Sequence, residues 1–329
     1  MPVSKAFRFV LQAREKLYAS GVLTTMRLYH PVISVGNLTV GGTGKTPLVI
    51  ALAEGLRDRG YRPVVLSRGY GRISRGVLVV GSQSSKWEDW GDEPFLIKQR
   101  LRNVPVVVGA NRYEAGRLAE QQQLGNIFVL DDGFQHRRLH RDVDVVTIDP
   151  VEWAAGELLL PTGRWREPKA SIARAHVACV QDVPGTRFPE LPIASFKVRA
   201  QTDGIYRDER SECKPDRAQP LREDEPIPAE HLKNRAVVAF AGIAKPERFF
   251  TALESLGVQT VKTVRFQDHH HYSARDIEKL GGEMLITTEK DAVRLRTITD
   301  RPFSYLRISA NIPDFDGLMS LILSHLPNA

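Results

Sequence analysis

The sequence predicts an α/β protein: a P-loop NTPase-like parallel sheet covered by helices, with a second, smaller α/β domain after it and an amphipathic helix before it. Three observations carry this. Strand-length apolar runs alternate with helical segments from residue 31 onward. A glycine-rich turn ending in Gly44-Lys45-Thr46 follows the first of those runs and opens the first long helical segment. Residues 3–18 set apolar side chains at helical spacing among basic ones.

Taking the elements in order, Val3, Phe7, Val10, Leu11, Leu17 and Tyr18 mark one face of the first helix. Over the first 30 residues Lys5, Arg8, Arg14, Lys16 and Arg27 oppose the single acid Glu15. Such a helix either docks its apolar face on the domain or lies in a bilayer interface, where each Lys or Arg near anionic lipid contributes about 1 kcal/mol. The two readings are compatible. Residues 31–35 read as a strand and 45–59 as a helix with Leu48, Leu52 and Leu56 on one face. Pro47 suits its first turn, where a missing N–H costs nothing, and Gly60 ends it. Further strands are expected at 62–66, 77–80, 105–108, 127–130 and 143–148, which implies a parallel sheet.

After Pro150 the pattern resumes at 176–180, 193–198, 237–241, 260–264 and 284–287. The polar, Pro-rich stretch 199–234 reads as a surface loop or hairpin. The expected organisation is therefore an N-terminal helical segment (1–30), a nucleotide-binding domain (31–155) and a second α/β domain (156–329) whose end is free to pack back on the first.

Composition narrows the functional classes. At 42% hydrophobic over 329 residues, disorder is excluded for most of the chain. Lys plus Arg number 46 against 39 Asp plus Glu, a net +7 that suits an anionic partner without choosing one. No basic–aromatic module accompanies that charge, so nucleic acid is not an expected partner. Cys179 and Cys213 are the only cysteines and lack metal-ligand spacing, which argues for a reducing compartment. No run approaches the roughly 20 apolar residues of a spanning helix. The N-terminus also lacks a secretory h-region, so a cytoplasmic location is expected.

The strongest chemical signal is Thr39-Val40-Gly41-Gly42-Thr43-Gly44-Lys45-Thr46. Its glycines let successive N–H groups turn toward phosphate oxygens, and the helix N-terminus adds partial positive charge. Lys45 is expected on the β/γ-phosphates of ATP and the Thr46 hydroxyl on Mg²⁺. Thr39 stands where the usual loop has glycine. Val40 stands where partition-type ATPases carry an extra lysine, which speaks against the alternative of a membrane-recruited ATPase switch.

Asp131 and Asp132 end an apolar strand, where they either hold Mg²⁺ or make a turn with Gly133. Asp92-Glu93-Pro94 either caps the following helix or supplies a general base. Within Asp268-His269-His270-His271, a histidine paired with a carboxylate for proton transfer is more economical than three converging on one metal, and a solvated loop is the other reading.

These residues resemble the tetraacyldisaccharide 4'-kinase family, the lipid A 4'-kinases of Gram-negative bacteria. The resemblance runs over most of the chain. It is carried by Val35-Gly36-Asn37 through Thr46-Pro47, Ser67-Arg68-Gly69-Tyr70-Gly71, Gly91-Asp92-Glu93-Pro94, Asn111-Arg112 and Leu130-Asp131-Asp132-Gly133-Phe134-Gln135-His136. Later come Leu160-Pro161 through Arg166-Glu167-Pro168, Ala241-Gly242-Ile243, Phe266 through His269, and Thr287-Thr288-Glu289-Lys290-Asp291-Ala292.

The resemblance implies transfer of the ATP γ-phosphate to the 4'-hydroxyl of a tetraacyl disaccharide 1-phosphate, an acylated lipid A precursor. It also implies peripheral attachment to the anionic, cytoplasmic face of the inner membrane, with no required protein partner. Asp92 then matches the general base and His269 its partner, with His270 as second choice. Glu93, Asp131, Asp132 and Thr46 match the surroundings of Mg²⁺. Arg112 and Arg166 match basic residues of the cleft, and Asn37 joins them as substrate-binding.

Overall fold

A computed structural model describes residues 2–82, 86–208, 226–232 and 235–327, with the backbone alone for 2–5 and 229–230. Cys213 and much of the 199–234 stretch lie outside the described residues. The first part of the chain runs α1 (Pro2–Ala19), β1 (Val32–Asn37), α2 (Lys45–Asp58), β2 (Pro63–Ser67), β3 (Leu78–Val79), α3 (Asp92–Arg100), β4 (Val106–Val108), α4 (Arg112–Gln121), β5 (Ile127–Asp131), β6 (Val143–Ile148) and α5 (Pro150–Ala154). The rest runs β7 (Val177–Gln181), β8 (Ala194–Arg207), β9 (Val237–Ala241), α6 (Pro246–Ser255), β10 (Thr260–Arg265), α7 (Ala274–Leu280), β11 (Met284–Thr288), α8 (Glu289–Leu295), β12 (Ser304–Asn311) and α9 (Phe315–Ser324).

The strands form one sheet in the order β10-β9-β11-β12-β8-β7-β6-β1-β5-β2-β4-β3. β1 lies between β5 and β6, parallel to both, and all three are buried from end to end. That burial follows from their predominantly apolar content, rich in Val, Ile and Leu, which needs cover on both faces. On one face Leu48, Leu52 and Leu56 of α2 join Leu318, Met319 and Ile322 of α9 in a single core.

The sheet departs from the all-parallel expectation in two places. β3 runs antiparallel on β4 at one edge, and β12 antiparallel on β8. β8 is also far longer than the 193–198 strand anticipated, taking in residues assigned to a loop. Its first residues, Ala194–Val198, pair with β7, and Arg199–Arg207 pair with β12. A strand of that length has room to serve two partners, and this one joins the sheets of the two units. The boundary expected at 155/156 falls between β6 and β7, which are neighbours in one sheet.

In α1, Phe7 and Leu11 pack against the cluster containing Trp165 and Ile172, while Phe9, Val10 and Leu17 remain exposed. Arg14 reaches Glu167 at 3.0 Å, and the Arg137 guanidinium lies 4.7 Å above the Tyr18 ring. No helix among the described residues is long and apolar enough to cross a membrane.

One close approach positions the site. A Cβ at Gly36 would lie 2.5 Å from the Phe134 Cβ and 2.7 Å from its backbone nitrogen, so only glycine lets β1 pass beneath the turn that follows β5. Gly36→Ala is expected to destabilise the fold by about 1–3 kcal/mol through overpacking. A urea midpoint unchanged from that of the parent would contradict so tight a fit.

Candidate active site

The phosphate loop begins where β1 ends. Val40 N–H donates to the Arg164 carbonyl at 2.7 Å, and Arg166 N–H to the Leu38 carbonyl at 2.7 Å. Thr39 bridges to Trp165 in this pairing, so it sits in extended backbone that has no need of glycine. Gly41 (φ 108°) and Gly44 (φ 76°) then turn the chain through conformations side chains resist. Gly44 leads into α2 with no side-chain cap, which leaves the N–H groups of the first turn for an anion.

Asn37 corrects an expectation. It is fully buried under the loop, where its amide donates to the Thr39 carbonyl at 2.5 Å and to Thr43 Oγ1 at 2.9 Å. Thr147 Oγ1 donates to the same Thr43 hydroxyl at 2.8 Å. Asn37 therefore shapes the loop from below and has no open path to a substrate.

β5 delivers the acid pair beside the loop because Asp131 stands opposite Val35 of β1. Asp132, in a left-handed conformation (φ 51°), comes within 3.5 Å of Lys45 Nζ. Arg166 Nη1 lies 2.9 Å from both Asp132 oxygens, so this arginine, expected as a substrate-binding residue of the cleft, holds a carboxylate here. Burial opposes the charge on Asp132, but Lys45 and Arg166 keep its pKa below the usual carboxylate range.

Asp131 differs. Burial, then Glu93 and Asp132, push its carboxyl up to about 7, despite a 2.9 Å hydrogen bond from Ser67 Oγ. Mutual repulsion among these acids is the condition a cation relieves, and the donors are the hard oxygens Mg²⁺ prefers. Among the described residues no three His, Cys, Asp or Glu side chains are gathered into a complete ligand set. Mg²⁺ commonly takes one or two carboxylates together with substrate phosphates, so the pair fits it without such a set. Arg112 is buried nearby, its Nη1 on the Ala110 carbonyl at 2.8 Å, and burial followed by Arg68 lowers its pKa to about 10.

The second acidic site is built across the two units. Asp92 opens α3 with its side chain buried, and Asp92 Oδ2 lies 3.0 Å from His269 Nδ1. His269 adopts a left-handed conformation (φ 57°), anchored by its N–H on the Gly242 carbonyl at 3.1 Å. His270, the second choice, turns away. It stacks on Phe266 with ring centroids 4.6 Å apart, and its Nε2 lies 3.5 Å from Asp276.

Three side chains that complete this cluster carry no expectation from the sequence. Lys290 Nζ lies 2.9 Å from Glu93 Oε1 and 3.2 Å from His269 Nε2. Arg294, buried with Asp291, lies 3.7 Å from Asp92 Oδ2. Asp291 in turn accepts from Gly242 N–H at 3.0 Å and Tyr272 hydroxyl at 2.9 Å, tying α8 to the loop that bears His269. The Thr288-Glu289-Lys290-Asp291 string was visible in the sequence, but nothing local says that its lysine faces Glu93. Glu167, buried and paired with Arg14 and Arg174, was likewise visible only as part of a motif.

Comparison with known proteins adds an independent line. The family model described as tetraacyldisaccharide-1-P 4'-kinase matches residues 1–327. Tetraacyldisaccharide 4'-kinase of Koribacter versatilis is 39% identical over 337 residues, covering 98% of this chain and 97% of that protein. The enzyme of that name from Aquifex aeolicus is 37% identical over 299 residues, covering 90% and 89%. A crystal structure of the "apo" form of LpxK from Aquifex aeolicus in complex with ATP superposes with a TM-score of 0.80 at 34% identity, covering 99% of this chain and 98% of that one.

Proposed function

This chain belongs to the tetraacyldisaccharide-1-P 4'-kinase family, and from that premise we propose that it transfers the γ-phosphate of ATP to the 4'-hydroxyl of a tetraacyl disaccharide 1-phosphate in lipid A biosynthesis. The observation that carries the reading is the convergence of Lys45, the β5 acid pair and the Asp92–His269 pair, linked through Glu93. A partition-type ATPase switch has no use for a buried aspartate paired with a histidine at that place.

Lys45 and the uncapped start of α2 offset the charge of the polyphosphate. Asp131 and Asp132, with Thr46, are the groups to hold Mg²⁺, which when bound adds charge neutralisation at the β/γ-phosphates. Asp92 takes the proton of the attacking hydroxyl. His269 receives a hydrogen bond from the Lys290 ammonium at Nε2, which leaves its proton on Nδ1 to donate to Asp92 and orient it. No covalent phospho-enzyme is needed. Labelled γ-ATP and a tetraacyl disaccharide monophosphate should give labelled lipid in one-to-one ratio with ADP. ATP turnover that leaves the lipid unlabelled would reject the kinase reading.

The acyl chains of such a substrate stay in the bilayer, which supports placing the enzyme peripherally on the cytoplasmic face of the inner membrane. Phe9, Val10 and Leu17 of α1, with Val22 and Leu23 just beyond, are the exposed apolar residues suited to enter the interface. Deleting residues 1–20 should weaken co-sedimentation with anionic vesicles, most strongly at low salt. Equal sedimentation of the folded truncated protein would remove this role from α1.

A further inference from the structure

A charge network outside the groups assigned above lies against the phosphate loop. Asp149 follows β6 and caps α5. Its side chain is fully buried and accepts from Lys245 Nζ at 2.5 Å, Arg248 Nη2 at 2.6 Å and Val151 N–H at 3.0 Å. Glu152 Oε1 lies 3.2 Å from Lys245 Nζ and 3.0 Å from Arg164 Nε. Arg248 also donates to Gln181 Oε1 at the end of β7. Three cations thus face two carboxylates, and the excess is positive.

The network touches the loop directly. A Cβ at Gly41 or Gly42 would lie 3.6 or 4.0 Å from the Cβ of Ala244, the residue before Lys245. A Cβ at Gly44 would lie 2.8 Å from Gln181 Nε2. Arg164 Nη2 donates to the Val40 carbonyl at 2.9 Å. In the sheet order β6 and β7 lie on one side of β1, and β5 with its acid pair lies on the other. The cations therefore flank the loop on the side away from Asp131 and Asp132.

We propose that Lys245 and Arg248 are ATP-binding residues, carried by the second unit, that engage the polyphosphate and for which Asp149 competes. Asp149 and Glu152 balance two of the three cations, so a simple staple leaves one positive charge in excess. Beside a loop built for phosphate, that charge has an anion to meet. The same short segment begins at Gly242, whose carbonyl accepts the His269 N–H and whose own N–H donates to Asp291. Contact with the nucleotide and placement of His269 thus ride on residues 242–248.

This inference rests on the kinase reading, and the two fail differently. The test is calorimetric titration of the full-length protein with a non-hydrolysable ATP analogue and Mg²⁺. Lys245→Met with Arg248→Met should raise the Kd by about tenfold or more. Asp149→Asn, which keeps an oxygen to cap α5, should bind the analogue as tightly as the parent or tighter. Because the double variant strands a buried carboxylate, the same pair is also made in the Asp149→Asn background, where the loss of affinity should persist. A Kd within about twofold of the parent in that triple variant would overturn the proposal. So would an Asp149→Asn variant that weakens binding as much as the double variant, since the network would then be a staple between the units. A parent protein that binds no analogue, like a Lys45→Ala control, would strike the kinase reading itself.

Discussion

Asp92→Asn is expected to lower kcat by about 10²–10⁴-fold while the KM for ATP stays within about threefold, the signature of a lost general base. The shape of the side chain is kept and its place at the start of α3 is separate from the phosphate loop, so binding has no reason to change. Burial opposes the charge on Asp92, but Lys290, His269 and Arg294 outweigh it and hold the carboxyl well below its usual range. The base is thus ionised throughout the neutral region, and its own titration puts no acid limb there. A depressed pKa also means stability present above the ordinary carboxylate pKa and lost as pH falls through the lowered value. The variant should therefore melt below the parent at neutral pH, because Lys290 and Arg294 lose a buried counter-ion, and the gap should close in acid. His269→Ala, which only loosens the orientation of Asp92, should cost kcat less. A folded Asp92→Asn enzyme with near-normal turnover would take proton transfer away from this residue.

Asp131→Asn should separate stability from activity. Burial with Glu93 and Asp132 for neighbours raises the Asp131 carboxyl to about 7. A carboxyl raised above its unfolded value of about 3.9 binds more protons in the folded state, so the stability it contributes declines as pH rises from about 4 to about 7. In chelator at pH 8 the asparagine variant should consequently melt higher than the parent, an advantage gone near pH 4. Kinase activity should fall by about 10²-fold or more, since a carboxylate that would hold Mg²⁺ at the transferring phosphate is lost. Mg²⁺ with ATP should reverse the order of melting, because the parent gains more from binding. If the parent melts as high as the variant at pH 8 in chelator, Asp131 is not the strained acid described here.

What was legible in the chain was what depends on near neighbours. Gly41 to Thr46 could be read because a strand, a glycine turn and a helix start are local events. Asp131 and Asp132 could be read because they close an apolar run. The choice between His269 and His270 could not, since it depends on a left-handed backbone at His269 and on the Phe266 ring that captures His270. Asn37 misled for the opposite reason. Its spacing puts it beside the loop, and only the fold shows that it faces downward, onto Thr43. Arg166 could be read as a basic residue, but its partner Asp132 is 34 residues away along the chain. Lys290 and Glu93 are separated by 197 residues, so no periodicity relates them.

The amino-acid order alone determined that this chain builds a phosphate-binding α/β sheet and that an acid pair ends one strand, and it offered an acid at Asp92 and histidines at 269–271 as candidates for proton transfer. Backbone chemistry and alternation of apolar residues act over a few positions, and such signals survive in a linear text. Only the tertiary structure decided that Asp92 of one unit meets His269, Lys290 and Arg294 of the other, and that β8 is long enough to join the two sheets. It also decided that Asp149 holds two cations of the second unit beside the loop. Those pairings are set by which strands lie side by side and how far each runs, and the Coulomb energy that makes them matter depends on distance through space, not along the chain.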